Sequence, residues 1–324
     1  MTADAEEELQ GILAQVHAQC ASNTSGEVAT YIPELANAAP DDFGLALATV
    51  SGRLFTAGQA NTHFTIQSVS KAFTYCLANE LLGADEVMRY VGVEPSGDAF
   101  NSIEFDPSTA LPFNPMVNAG AITVAGLLHR ELGDGAFDFI LDRLSRAAGR
   151  PLDMDDAVYR SEAETGHRNR AIAHLLKGTG ALEGSVDAVV DLYFRQCSIR
   201  VTAIDLAWMS VTLANLGVQP RTDDTVFDLL SVRDTQSVMY ACGMYNYSGH
   251  WGFRVGIPAK SGVGGGLVGV VNRQLGIAAY SPRLDAKGNP VRGVAAFELL
   301  AEELGLHPFC CTKLGSSLVE RFLR

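Results

Sequence analysis

A chain of 324 residues has room for two domains or one large one, and 47% hydrophobic with 19% charged residues is ordinary for a folded globular protein. A net charge of −13 argues against nucleic acid or an anionic membrane as a partner, since both demand basic surface, but it leaves room for a locally positive pocket. The acidic N-terminus has no basic stretch leading into an apolar one, no apolar run is long enough to span a bilayer, and Cys20, Cys76, Cys197, Cys242, Cys310 and Cys311 show no Cys-x-x-Cys spacing, so reduced thiols and a cytosolic location are expected.

Residues 6–20 carry Leu9, Ile12, Leu13 and Val16 at helical spacing. Phe43 to Val50 and Arg53 to Ala57 read as two strands joined by a Ser51-Gly52 turn. Phe64-Thr65-Ile66 then leads into a helix from Ala72 to Leu82, stopped by Gly83. Helical patterns come next at Ile122–Leu132, Ala136–Ala148, Arg168–Lys177, Val186–Arg195 and Ala203–Leu216. Strand character returns at Phe253–Ala259, Leu267–Val271 and Leu275–Tyr280, before a final helix from about Val291 to Leu304. The most linker-like stretch, Glu94 to Pro115, falls inside the helical insert. This order predicts an α+β fold: a mostly antiparallel five-stranded sheet flanked by helices, plus an all-helical subdomain. The expected division is residues 1–70 and 231–324 for the two parts of the α/β subdomain and 71–230 for the helical one.

Between strand and helix stands Gln67-Ser68-Val69-Ser70-Lys71. On a helix, positions i and i+3 share a face, so the Ser68 hydroxyl and the Lys71 amine can meet. A serine hydroxyl is a weak nucleophile until a base takes its proton, and a lysine whose pKa is lowered by burial or a second cation can be that base. Penicillin-binding proteins and class A β-lactamases use this Ser-x-x-Lys arrangement. Roughly one such tetrapeptide is expected by chance in a chain this long, so the pattern alone also fits a serine and a solvated lysine.

A second motif supplies context. Lys260-Ser261-Gly262-Val263 comes after a strand pattern and resembles the Lys-Thr-Gly run that walls the active site of Ser-x-x-Lys enzymes; otherwise it is a glycine-rich turn. Gly264-Gly265-Gly266-Leu267-Val268-Gly269 also matches a dinucleotide-binding pattern, but that fingerprint must open a helix, and the run from Leu267 onward alternates like strands. His129, His167, His174 and His250 lack the spacing of a metal cluster. Asn118, Asn169 and Glu162, taken singly, fit helix caps and a solvated acid. Together with Tyr31, Tyr193 and Tyr245 they fit a pocket for a small zwitterion, the carboxylate holding an ammonium and the amides and phenols a carboxylate.

From about Gly26 to Leu306 the chain resembles the serine-dependent glutaminases. The resemblance rests on residues 28–33, 67–71, 90–97 and 114–122, on Ser161-Glu162, Arg168-Asn169 and Tyr193-Phe194, and on residues 242–245 and 258–263, all in order. His167 stands where the family often has an acidic residue. The resemblance implies a β-lactamase-like fold and hydrolysis of L-glutamine, without metal or organic cofactor. It makes Ser68 the nucleophile, Lys71 and Tyr245 proton carriers, and the amides of Ser68 and Val263 the oxyanion donors. It implies that Tyr31, Asn118, Glu162, Asn169, Tyr193 and Tyr245 surround the amino acid, with Lys260, Ser261 and Gly262 in support. It also implies a homodimer or homotetramer. The alternatives are a β-lactamase or penicillin-recognising peptidase, disfavoured by the missing export signal, and a catalytically silent amino-acid-binding module.

Overall fold

A computed structural model describes residues 3–97 and 105–309. Cys310 and Cys311 lie outside the described residues, as does part of the stretch from Glu94 to Pro115. Five strands form one antiparallel sheet in the spatial order Leu54–Gly58, Gly44–Thr49, Leu275–Tyr280, Gly266–Val271, Ala259–Ser261. The N-terminal hairpin therefore docks onto the C-terminal meander, with Leu45 opposite Ala279 and Leu47 opposite Ile277.

These strands are nearly continuous apolar runs because both faces of the sheet are covered. Side chains alternate across a pleated strand, so successive residues enter different cores. Leu45, Leu47, Leu267, Ile277 and Ala279 pack with Leu13 and Val16 of the helix Ala3–Ala21 and with Phe297 and Leu300 of the helix Val291–Leu304. Ala46, Ala48, Val268, Val270 and Ala278 face the other way, into a core shared with the helix Ala203–Ala214 and the helical group beyond it. Small residues predominate on that face. A Cβ on Gly276 would meet the Val211 backbone nitrogen at 2.3 Å, so this glycine is what lets the helix lie directly on the sheet.

The helix Ser70–Leu82 runs through the middle of the helical group and is buried from Ser70 to Asn79. The helices Asp156–Thr165, His167–Thr179 and Val186–Cys197 form an outer layer packed on Asn118–Leu132 and on one another, while Asn118–Leu132 and Ala136–Ala148 pack against the central helix. The helix Leu229–Cys242 packs against it as well and continues past residue 230. The expected strand from Phe253 to Ala259 is not formed. Residues Ser248–Arg254 are helical and only Ala259–Ser261 joins the sheet. The alternation that suggested a strand comes from a helix that buries Trp251 and leaves Phe253 76% exposed, followed by a bend at Gly256 with φ of 73°. The run from Gly266 to Val271 is a strand, so the glycine-rich stretch opens no helix and has no dinucleotide-binding geometry. No described helix is long and apolar enough to cross a membrane.

Candidate active site

Ser68 sits where the sheet meets the helical group. It lies in a short 3₁₀ turn, Gln67–Val69, and the α-helix begins only at Ser70, so Ser68 and Lys71 straddle a helix start and do not share a regular helical face. Gln67 holds the turn in the left-handed region, with φ of 46°. The C-terminal strand closes over it. A Cβ on Gly262 would lie 3.3 Å from the Ser68 nitrogen, and one on Gly264 would lie 2.4 Å from the Thr65 carbonyl oxygen. Only glycine leaves room there for two backbones to run side by side. Val263, between them, is buried against Ile32 and Val158.

Lys71 is 1% exposed and its ammonium is held by two acceptors, Asn118 Oδ1 at 2.6 Å and the Met116 carbonyl at 3.4 Å. Burial lowers its pKa to about 8, against the opposing influence of Cys197 and Glu162. Lys260 is also fully buried. It donates to the Ser261 carbonyl at 2.6 Å and stands 3.8 Å above the centre of the Tyr245 ring. Burial, and then the Lys71 charge, hold Lys260 well below the usual lysine range. The Tyr245 hydroxyl donates to the Ser261 carbonyl at 3.1 Å and hydrogen-bonds to Ser68; burial pushes its pKa far up, so it carries its proton at neutral pH. Ser261 is fixed in turn by its own hydroxyl, which donates to Asn289 Oδ1 at 2.6 Å.

From Lys71 a chain of amides leads outward. Asn118 donates through Nδ2 to Asn169 Oδ1 at 3.0 Å. Tyr31, Asn118, Glu162 and Asn169 line one cavity of about 100 Å³, with Ile32, Thr165, Gly166 and Arg168 completing its wall. Glu162 is buried with its Oε2 unpartnered among the described residues. Burial raises its pKa to about 8, while a hydrogen bond from Gln67 and the Lys71 charge pull it down. Tyr193 and Cys197, one turn apart on the helix Val186–Cys197, are both buried, and burial pushes the pKa of each well up. Tyr31 stands at the mouth, 54% exposed.

The structure thus brings together every residue singled out from the sequence. The neutral readings fail for the three polar residues: Glu162 is not a solvated acid, and neither Asn118 nor Asn169 occupies a helix cap. Sequence reasoning missed Gln67, the Met116 carbonyl, Cys197 and Asn289 as groups that touch this centre. Gln67 and Met116 had a visible signal, their places inside the motifs at residues 67–71 and 114–122. The four described cysteines are free and buried.

An antiparallel sheet covered on both faces, with Ser-x-x-Lys at its junction with a helical group and Lys-Ser-Gly on its edge strand, is the architecture of the β-lactamase-like serine enzymes. Within that class the chain belongs to the glutaminase family, whose model matches residues 26–309. It is 52% identical over 286 residues to Glutaminase 1 of Bradyrhizobium diazoefficiens, covering 88% of this chain and 46% of that one, so it spans about half the length of that relative. It is 46% identical to the glutaminase of Trichormus variabilis, covering 94% of this chain and 91% of that one. Among solved structures, the probable glutaminase ybaS superposes with a TM-score of 0.91 at 38% identity, over 95% of this chain and 99% of the other. Mglu in its tris and glutamate form gives 0.88 at 42% identity, over 95% of this chain and 69% of the other.

Proposed function

We propose that the protein hydrolyses the side-chain amide of L-glutamine to L-glutamate and ammonia through a glutamyl-serine ester. The observation that carries this reading is the buried path from Lys71 through Asn118 to Asn169, which joins a low-pKa amine of the Ser-x-x-Lys motif to a cavity lined by a buried carboxylate whose Oε2 has no partner among the described residues. A free amino acid fits that cavity. Its ammonium pairs with Glu162, and its carboxylate takes donors from Asn169, Tyr193 and Tyr31.

In this reading neutral Lys71 accepts the Ser68 proton as the serine oxygen attacks the amide carbon. The carbonyl π electrons move to oxygen, and the backbone N–H groups of Ser68 and Val263 stabilise that charge. When the tetrahedral species collapses, the C–N bond breaks. Ammonia leaves with a proton delivered by Lys71, or by the Tyr245 hydroxyl, which is protonated at working pH and then regains its proton from Lys71, so that Lys71 is neutral again in either case. Water then gives a proton to Lys71, attacks the ester and releases glutamate, and Ser68 regains its hydrogen. Lys260 supports the site through its hydrogen bond to the Ser261 carbonyl and its contact with the Tyr245 ring.

A cytosolic setting, supported by the four cysteines among the described residues, all free, and assembly as a homodimer or homotetramer, supported by family likeness, belong to the same proposal. Incubating the purified protein with glutamine and with a chromogenic β-lactam, and measuring ammonia and ring opening, tests the reading. Ammonia release without ring opening supports it. Ring opening alone points to a penicillin-recognising enzyme, and neither product points to a silent binding module.

A further inference from the structure

We propose that Asn289 is a positioning residue for the Tyr245 hydroxyl and that it acts through Ser261. The inference rests on the hydrolytic reading and adds a residue to it.

The link is a run of buried hydrogen bonds. Asn289 Oδ1 accepts from the Ser261 hydroxyl at 2.6 Å. The Ser261 carbonyl accepts from the Tyr245 hydroxyl at 3.1 Å and from Lys260 Nζ at 2.6 Å. Asn289, Ser261 and Lys260 are fully buried, and Tyr245 nearly so. A carbonyl oxygen has two lone pairs, and here two donors take both. The phenol hydrogen is therefore aimed at Ser261.

Asn289 is itself held by a turn. Its backbone N–H donates to Asp285 Oδ1 at 2.9 Å, and its carbonyl accepts from the Asp285 N–H at 2.9 Å, across Gly288 with φ of 83°. The helix Val291–Leu304 follows directly. On the other side of the link, Gly262 comes after Ser261 and lacks the Cβ that would restrict its backbone. The peptide joining the two donates through the Gly262 N–H to the Gly266 carbonyl at 2.8 Å, while its own carbonyl takes Tyr245 and Lys260. The bond from the Ser261 hydroxyl to Asn289 is a further anchor beside that mobile joint.

The pair is unfavourable as packing alone. Asn289 Nδ2 has no partner among the described residues. A buried N–H left unpaired destabilises, whereas two apolar groups of the same shape in place of a buried polar pair are close to neutral or stabilising. Stability does not call for asparagine and serine here. The oxygen that Asn289 offers to Ser261 does.

Tyr245 gives a proton to the departing nitrogen and recovers one from Lys71, so the placement of its hydroxyl bears on kcat. Its backbone is set by a left-handed φ of 57°, and Lys260 stands 3.8 Å above its ring centre. What remains free is rotation about the C–O bond, and the Ser261 carbonyl fixes it. Asn289 is not among the residues lining the amino-acid cavity, so its loss should leave KM nearly unchanged.

The test compares Asn289→Ala and Ser261→Ala, which delete the same hydrogen bond from opposite ends, with the unaltered protein. Glutamine kcat should fall about fivefold or more in both, the loss expected for a neutral hydrogen bond, while KM stays within about twofold. The double variant should be no slower than the slower single one. Carbon NMR of protein labelled at tyrosine Cζ, with the Tyr245 signal assigned by its loss in Tyr245→Phe, should show that signal displaced in both variants without turnover. Should Asn289→Ala fail to fold, Ser261→Ala leaves the Asp285 turn intact and carries the same kinetic and NMR readouts. An unmoved Tyr245 signal would make Asn289 a purely structural residue and overturn the proposal, whatever happens to kcat or melting temperature. A displaced signal with kcat unchanged, a rise in KM alone, or losses that multiply in the double variant would overturn it as well. Absence of ammonia release by the unaltered protein defeats the hydrolytic reading, whereas the NMR shift still decides the link from Asn289 through Ser261 to Tyr245.

Discussion

The Lys71 ammonium lies 2.6 Å from Asn118 Oδ1, and the same Asn118 side chain donates to Asn169 at 3.0 Å. One amide therefore touches both the base and the wall of the binding cavity. A neutral amine has two hydrogens and one lone pair. With the hydrogens taken by Asn118 and the Met116 carbonyl, the lone pair has a single tetrahedral direction left.

Replacing Asn118 should therefore disturb chemistry as well as binding. Asn118→Asp places a carboxylate against the ammonium, raises the Lys71 pKa above about 8 and moves the acid limb of kcat/KM upward. Asn118→Ala frees one hydrogen of Lys71 and should lower kcat by about tenfold or more. A pH–rate profile of both variants decides the matter. A change in KM with an unmoved limb and an unchanged kcat would confine Asn118 to substrate binding.

Ser68→Ala should abolish turnover while leaving the melting temperature close to that of the parent, since only one oxygen is lost. Lys71→Ala should be nearly as inactive, because an unassisted serine hydroxyl does not ionise near neutrality. A glutamine analogue bearing a diazoketone should label Ser68, and mass spectrometry reads the site. An adduct on Cys197 instead would move the nucleophile to the thiol one turn from Tyr193.

Glu162→Ala should weaken kcat/KM for glutamine by about 30-fold or more, the low end of the roughly 2–5 kcal/mol lost on truncating one partner of a buried charge pair. N-acetylglutamine has no ammonium to pair, so the unaltered protein should turn it over poorly and the variant should lose little more. An equal loss on both substrates would mean that Glu162 shapes the cavity without reading the amino group.

Activity should climb with pH through about 8, where Lys71 loses its proton and Glu162 becomes ionised. Both groups work against the acid side: protonated Lys71 cannot accept from Ser68, and protonated Glu162 cannot pair with an ammonium. Bound substrate brings a cation beside both, which lowers both pKa values, so the limb in kcat should lie below the limb in kcat/KM. Lys260→Met removes the contact with the Tyr245 ring and the hydrogen bond to the Ser261 carbonyl, and should lower kcat without moving either limb. Limbs that shift upward in that variant would instead give Lys260 a charge that acts on Lys71.

Much of the architecture was legible because apolar periodicity survives where a strand or helix is long. Leu275–Tyr280, Ala136–Ala148 and Val291–Leu304 stand where the pattern put them. The error at Phe253 has a local cause: a helix of seven residues is too short to show its period, and Arg254-Val255-Gly256-Ile257 imitates a strand. The helices Asp156–Thr165 and Leu229–Cys242 begin at Asp155 and Asp228, whose side chains accept from the first backbone N–H groups, a cue that rests on one residue at each start. At the site, residue types and order identified the participants. Their depth was not legible. That Glu162 and both lysines are stripped of water depends on helices more than a hundred residues away, and no local spacing encodes it.

The docking of the N-terminal hairpin onto the C-terminal meander has a kinetic consequence. Gly44–Thr49 pairs with Leu275–Tyr280, and the nucleophile turn Gln67–Val69 packs against Ala259–Ser261, both contacts between segments separated by more than half of the chain. Closing so large a loop is entropically costly and slow compared with forming the helices in between. Catalytic competence should therefore be the last property gained on refolding, arriving with sheet closure and well after most of the helical circular dichroism has returned. A chain still emerging from the ribosome, or cut short before Ala259, would have its nucleophile and base without the edge strand that completes them.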